Sequence, residues 1–174
     1  MAHQAQQEYC KSVKNRFPHL FTGSVLDVGS MDINGNNRYL FDNFDYTGID
    51  IGQGKNVDFV VSGNLFRSEK KFDVIISTEC FEHDEYWQQT LKNVINNLLK
   101  EGGLFLFSCA APGRPEHGTK KTSPNDSPFT TDYYRNLSEE DIRSVLDCDK
   151  IFSNYKFKTR KEFPQDLYFY GIKK

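Results

Sequence analysis

The sequence predicts an α/β fold: a mostly parallel sheet of seven strands flanked by helices, with an antiparallel strand pair at its C-terminal end. Three observations carry this expectation. Apolar stretches of strand length alternate with segments of helical periodicity through most of the chain. Leu104-Phe105-Leu106-Phe107-Ser108-Cys109 is apolar at nearly every position, as in a strand buried on both faces of a parallel sheet. The last two strand patterns, Phe152–Lys158 and Asp166–Ile172, have no helix between them and should pair as an antiparallel hairpin at the sheet edge.

Taken in order, residues 4 to about 17 form a polar amphipathic helix that ends before Pro18, because the residue preceding a proline is pushed out of the α region. Strand Val25–Val28 follows, then a helix over Asn36–Phe44 and a strand over Tyr46–Ile51. A short strand spans Val57–Val61 and a clearer one Phe72–Ser77. The longest helical pattern covers Asp84–Lys100, with Trp87, Leu91, Val94, Ile95, Leu98 and Leu99 on one face and Gly102-Gly103 as its C-terminal stop. Residues 111–131 hold four of the six prolines and read as a long irregular loop on the substrate side. Ser138 and Asp141 open the next helix with a capping-box pattern. No repeat, linker or second domain interrupts the pattern, so 1–174 is expected to be a single domain.

The stretch Gly23–Asn36 joins an apolar strand to a turn rich in Gly, Ser, Asp and Asn. A glycine there lets backbone approach a ligand, and this arrangement is the start of a nucleotide-binding unit. Met31 and Asn34 fill the later positions of G-x-G-x-x-G, which argues against a dinucleotide oxidoreductase. With 22 basic and 24 acidic residues the net charge is -2, so no whole-chain field draws the protein to nucleic acid. No apolar run reaches the roughly 20 residues of a membrane span, and the polar opening residues lack a signal peptide's apolar region. A soluble, cytoplasmic protein is expected. Cys10, Cys80, Cys109 and Cys148 are far apart and read as reduced structural thiols.

In sequence order, Val25-Leu26-Asp27-Val28-Gly29-Ser30, Tyr46-Thr47-Gly48-Ile49-Asp50, Phe72–Ser77 with Phe81-Glu82-His83, and Leu98–Leu104 resemble the motifs of class I S-adenosylmethionine-dependent methyltransferases, specifically the small type-11-like branch. The resemblance covers nearly the whole chain and implies the Rossmann-like, mostly parallel seven-stranded sheet of that family, with S-adenosylmethionine as cofactor. It departs from the family at the missing later glycine and at Ser62-Gly63-Asn64, where many relatives carry an acidic residue near the adenine. Asp50 closes the second strand about 20 residues past the glycine turn and is placed to accept from both ribose hydroxyls. Gly29 and Ser30 would lie against the methionyl part, with Asp27 either orienting its amino group or bracing the turn. Arg38 would meet the carboxylate, or else be a solvated arginine. Ile51 would pack on the adenine and Thr78 stand near the sulfonium.

Glu79-Cys80-Phe81-Glu82-His83 carries the second constellation. If a helix begins near Glu79, then Glu79, Glu82 and His83 share a face. With His117 from the long loop they make a ligand set for Mg²⁺ or another divalent metal, and the spacing resembles that of metal-assisted O-methyltransferases. The same Glu-His pair also occurs in metal-free relatives, where it shapes the pocket. His83 and His117 are the candidate catalytic bases. Ser77-Thr78-Glu79-Cys80 differs from the Asn/Asp-Pro-Pro-Tyr of enzymes that methylate planar amines, which favours an oxygen acceptor. The loop 112–118 and the segment Phe129–Arg135 should cover the mouth of the site, where Asp132, Tyr133, Tyr134 and Arg135 suit a ring-shaped polar acceptor or form an ordinary polar lid. The expected activity is methyl transfer to a hydroxyl of a small molecule or carbohydrate. The alternatives are a metal-assisted enzyme acting on an RNA end or catechol, and a non-catalytic module that binds the cofactor.

Overall fold

The computed structural model describes residues 3–41, 45–130 and 132–174. Its centre is a seven-stranded sheet in the order β3-β2-β1-β4-β5-β7-β6. β1 (Ser24–Val28), β2 (Asp45–Asp50), β3 (Phe59–Val60), β4 (Phe72–Thr78) and the β4-facing part of β5 (Leu99–Ala110) pair in parallel, and β7 (Asp166–Lys173) runs antiparallel between β5 and β6 (Phe152–Thr159). The expected C-terminal hairpin forms, with β6 as the edge and β7 inside the sheet.

Adjacent residues of the central strands supply opposite faces, which is why their sequences are apolar throughout. Val25, Val74, Ile76, Leu104 and Leu106 pack with Cys10 and Val13 of α1 (Gln4–Arg16) on one side. Leu26, Ile75, Phe105 and Phe107 pack on the other with Trp87 and Leu91 of α2 (Trp87–Asn93) and Ile142 of α3 (Glu139–Val145). α3 carries the full capping box between Ser138 and Asp141. Among the described residues no helix is long and apolar enough to cross a membrane. All four cysteines are free, three of them buried.

Four expectations are corrected. The helix over Asn36–Phe44 is a loop followed by one 3₁₀ turn, Arg38–Leu40, and Phe41 is already extended; residues 42–44 lie outside the described residues. Asparagine and aspartate side chains satisfy this backbone locally, as when Asp32 accepts from Gly35 N–H (2.7 Å) and Asn36 from Arg38 N–H (2.9 Å), so a helix has no advantage. The strand over Val57–Val61 shrinks to β3, since Asp58 instead accepts from Gly48 N–H at 2.7 Å.

The long helix also starts later and ends earlier than its apolar stripe. Asp84 accepts from Tyr86 N–H and the Thr90 hydroxyl and so holds the turn before α2. After Asn93 the chain widens into one π-helical turn, Val94–Leu98. Lys173 then donates to the carbonyls of Ile95 and Leu99, and β5 begins at once. Gly102-Gly103 therefore lie in an outward excursion of β5 between Leu99 and Leu104 rather than at a helix end. A short α4 (Cys148–Ile151), capped by Asp147, was not expected.

Candidate active site

A cavity of about 330 Å³ opens above the C-terminal ends of β1, β2 and β4, where open α/β sheets bind ligands. Its floor starts at Gly29, whose φ of +76° turns the chain away from β1; a Cβ there would lie 2.4 Å from the Cys80 sulfur. Gly29 and Ser30 N–H both donate to the Ile49 carbonyl, and the Ser30 hydroxyl donates to Asn56, which fixes the turn against β2. Ser30 thus braces the turn with its side chain while lining the cavity.

Asp50 faces the cavity at the end of β2, held by N–H groups of Met31 (3.0 Å) and Gly52 (3.2 Å). Burial raises its pKa against these bonds. Asp27 lies deeper and accepts from the Tyr46 hydroxyl and from Asn37 Nδ2 (3.4 Å). Burial pushes its carboxyl up to about 6 despite both donors. Asn37 also donates to the Thr78 hydroxyl (3.0 Å) and accepts from Gln6 of α1 (3.5 Å), so one amide ties β1, β4 and α1 together. Ile51 and Thr78 line the cavity as expected, and Ile51 keeps an exposed apolar face.

Arg38 is not among the described residues lining the cavity. It bonds to Asn56, stands 3.7 Å from Asp58 and covers the Tyr46 ring at 4.1 Å, because the missing helix leaves it pointing along β2. Asn34, Gly35, Asn36 and Asn37 occupy the wall instead.

Glu79, Glu82 and His83 do not share a helix face. Glu79 has φ +54°, a left-handed conformation that ends β4, and the next residues form turns until Trp87. Glu79 consequently joins a different cluster from Glu82 and His83. Glu79 accepts from Ser108 (2.8 Å) and Arg114 (2.7 Å). Arg114 also pairs with buried Asp166, which lies 3.0 Å from His3 at the N-cap of α1. Burial works against His3 protonation, but Asp166 and Glu79 outweigh it and raise the imidazole to about 9. Burial opposes ionisation of Glu79 as well, but His3 and Arg114 hold it well below the usual carboxylate range. Arg114 and His3 thus balance the charge of Glu79 and Asp166 in this network.

Glu82, His83 and His117 do come together, their ligand atoms all within 4.8 Å of one another. The rings of His83 and His117 stand 5.1 Å apart and both touch Tyr134. Both Glu82 oxygens, His83 Nδ1 and His117 Nε2 are buried without a hydrogen-bond partner. Burial, then the charge of Glu79, raises the Glu82 carboxyl; burial and His117 push His83 down to about 3, and burial lowers His117. Of the predicted metal set, Glu82, His83 and His117 stand together, and Glu79 stands with His3 and Asp166 instead.

The loop 111–130 reaches both the cavity wall and the histidines. Asp126, Ser127, Pro128, Phe129 and Thr130 line the cavity, and the Phe129 ring lies where a Cβ on Gly52 would sit, 2.2 Å away. Gly118 (φ +64°) is packed against His83 and Ser127. Tyr134 reaches the histidines, while Arg135 pairs with Asp141 and Asp132 with Lys120, so these last two belong to the lid's own framework. Asn37, Tyr46 and Asp166 escaped the sequence reading as site residues, whereas Arg114 and Phe129 were read only as parts of the two segments covering the mouth.

Residues 1–144 match a family model described as a methyltransferase domain. Among curated proteins no sequence matches. Solved structures share the fold at low identity. A 1,6-didemethyltoxoflavin-N1-methyltransferase from Burkholderia thailandensis, bound to its substrate and S-adenosylhomocysteine, is 16% identical with a TM-score of 0.67, covering 97% of this chain and 78% of that one. An S-adenosylmethionine-dependent methyltransferase from Clostridium acetobutylicum ATCC 824 is 16% identical (TM-score 0.65; 99% and 93% covered). The N-terminal domain of EvdMO1, crystallised in the presence of S-adenosylhomocysteine and D-fucose, is 14% identical (TM-score 0.67; 100% and 85% covered).

Proposed function

This chain belongs to the S-adenosylmethionine-dependent methyltransferases, and we propose that it methylates a hydroxyl of a small-molecule or carbohydrate acceptor. The observation that carries this reading is Asp50, a carboxylate on the cavity wall whose backbone donors leave its remaining lone pairs for ribose hydroxyls. The residues fit the cofactor elsewhere too: Gly29 and Gly63 let the wall pack closely on Cys80 and Thr90, and Ile51 offers an apolar face for a purine. When bound, S-adenosylmethionine supplies a sulfonium-activated methyl group that an acceptor oxygen takes in line, leaving a neutral thioether. The chain's contribution is to hold donor and acceptor in line and keep water out. Asp27 would face the cofactor's ammonium, and Thr78 would stand at the reacting end of the cavity. His83, held neutral, would receive the hydroxyl proton, with His117 and Tyr134 fixing its ring.

The carbohydrate preference is supported by the fold shared with the EvdMO1 domain crystallised with D-fucose. Neighbours that are N-methyltransferases, including NodS from Bradyrhizobium japonicum, keep nitrogen as the competing outcome. Incubation with isotopically labelled S-adenosylmethionine and a panel of monosaccharides, read by mass spectrometry, tests the reading. Label on oxygen is expected; label confined to nitrogen, or none from protein that binds the cofactor, contradicts it.

A metal-assisted reaction is the second reading, favoured by the unpartnered oxygens of Glu82 and nitrogens of His83 and His117. Neutral imidazoles and one carboxylate suit a borderline divalent ion better than Mg²⁺ alone. Such an ion at Glu82 would lower the acceptor hydroxyl's pKa in place of a base. Loss of transfer with EDTA, restored by Mn²⁺ or Mg²⁺, is its expected signature; transfer unaffected by EDTA leaves the histidines as bases.

A further inference from the structure

The charge on the cavity wall restricts the acceptor. Asp27, Asp50, Glu79, Asp84, Glu85 and Asp126 all line the cavity. The chain has 22 lysines and arginines, yet none lines it among the described residues. Composition does not explain this, because the two signs are nearly balanced overall. Several cations of the surrounding segments are held by carboxylates. Lys55 pairs with Asp32 (2.8 Å), Lys120 with Asp132 (3.7 Å) and Arg135 with Asp141 (2.6 Å). Arg38 lies against Asp58, and Arg114 is locked between Glu79 and Asp166.

The carboxylates divide by position. Asp27 and Asp50 belong to the cofactor half, and Glu79 is neutralised by Arg114 and His3. The remaining part of the lining, His83 with the residues after it and the 124–130 segment, carries Asp84, Glu85 and Asp126. His83 is 8% exposed, and its Nδ1 has no partner in the protein. The cofactor adds one net positive charge, and a divalent ion balanced by ionised Glu82 adds one more. The wall remains negative either way.

Resting on the reading that this cavity binds S-adenosylmethionine, we infer that the acceptor carries a protonated amine close to the atom that is methylated, and that phosphorylated and carboxylated acceptors are rejected. Amino sugars and aliphatic amines share that chemistry. Low-dielectric walls focus the field of such a cluster onto whatever enters. Selection operates mostly by repulsion, since an anion entering here meets three carboxylates and, among the described lining residues, no lysine or arginine. An RNA 3′ end, with its adjoining phosphates, is disfavoured on the same ground.

The test uses full-length protein saturated with S-adenosylhomocysteine. Glucosamine, glucose, glucose 6-phosphate and 1,4-diaminobutane are titrated in turn and followed by NMR. Glucosamine should bind about tenfold tighter than glucose, and glucose 6-phosphate most weakly, each of the three carboxylates contributing a factor of about two to three. About 0.5 M salt should shrink the advantage. The Glu85→Gln, Asp126→Asn double variant should lose most of it, with S-adenosylhomocysteine affinity measured alongside. If only the diamine outbinds glucose, the inference holds with an aliphatic amine as source. Equal or tighter binding of the phosphate, or no amine binding better than glucose, overturns it. Failure of S-adenosylhomocysteine to bind is a separate result: it removes the cofactor reading, and this inference with it.

Discussion

The two halves of the cavity are built on opposite principles. In the half formed by β1 and β2, Asp27 and Asp50 each accept two hydrogen bonds from neighbours fixed by the sheet or the glycine turn. In the half beneath the long loop, His83 lines the cavity with Glu82 behind it, both buried, and His117 half-buried beside them, and these leave four polar atoms without partners. An unsatisfied buried polar atom costs about 1–3 kcal/mol, so a cluster of them persists where a ligand completes it. The difference teaches that the first half is preorganised for a ligand rich in donors. The second half is incomplete without a proton, cation or acceptor.

The largest effect should come from breaking the preorganised half at its most exposed charge. Asp50→Ala is expected to weaken S-adenosylhomocysteine binding about 100-fold, since hydrogen bonds to a charged group are each worth about 1.5–3 kcal/mol. Calorimetry checks this; an unchanged affinity would detach the β2 carboxylate from the cofactor. Phe129→Ala follows, with about tenfold weaker binding from the lost aromatic cover. Its dissociation rate, read by stopped flow, should rise in step, and no change would confine the loop to the acceptor.

A smaller, graded effect is expected from pH. The Asp27 carboxyl, raised by burial to about 6, loses its charge as pH falls through that value. Affinity for a ligand bearing an ammonium group should decline several-fold between about pH 7 and pH 5. A flat profile would leave Asp27 as a brace for Tyr46 and Asn37.

The smallest effect on binding, with a distinct effect on stability, should come from His3. Its imidazole is raised from 6.5 to about 9, so its stabilising contribution is complete below about pH 6.5 and is lost as pH rises through 9. His3→Gln should destabilise the fold by about 1–2 kcal/mol at pH 6, and the gap from wild type should close by about pH 10. A gap independent of pH would assign His3 to helix capping alone, through its contact with Gln6 N–H.

Legibility in the sequence follows the same division. Strands such as Val25–Val28 and Leu104–Cys109 announce themselves because burial on both faces demands unbroken apolar residues. Asp50 was readable because a strand end at fixed spacing from a glycine turn leaves it one place to be. The Glu79–His83 spacing misled because φ +54° at Glu79 breaks the helical register, and no periodicity reports a left-handed residue. Arg38 misled for a related reason, since the helix meant to carry it gives way to side-chain hydrogen bonds. Arg114, Asp166 and His3 meet across long sequence separations, and Phe129 folds back onto Gly52; such pairings exist only once the sheet has formed. His117 was found because histidine is rare here and the loop carrying it is long.

The measurement that bears most directly on this account is calorimetric titration of the folded protein with S-adenosylmethionine and S-adenosylhomocysteine, each with and without Mn²⁺. The account predicts one saturable site for both ligands, present without metal because the Asp27–Asp50 half is complete on its own. Failure of either to bind a protein shown to be folded would contradict it.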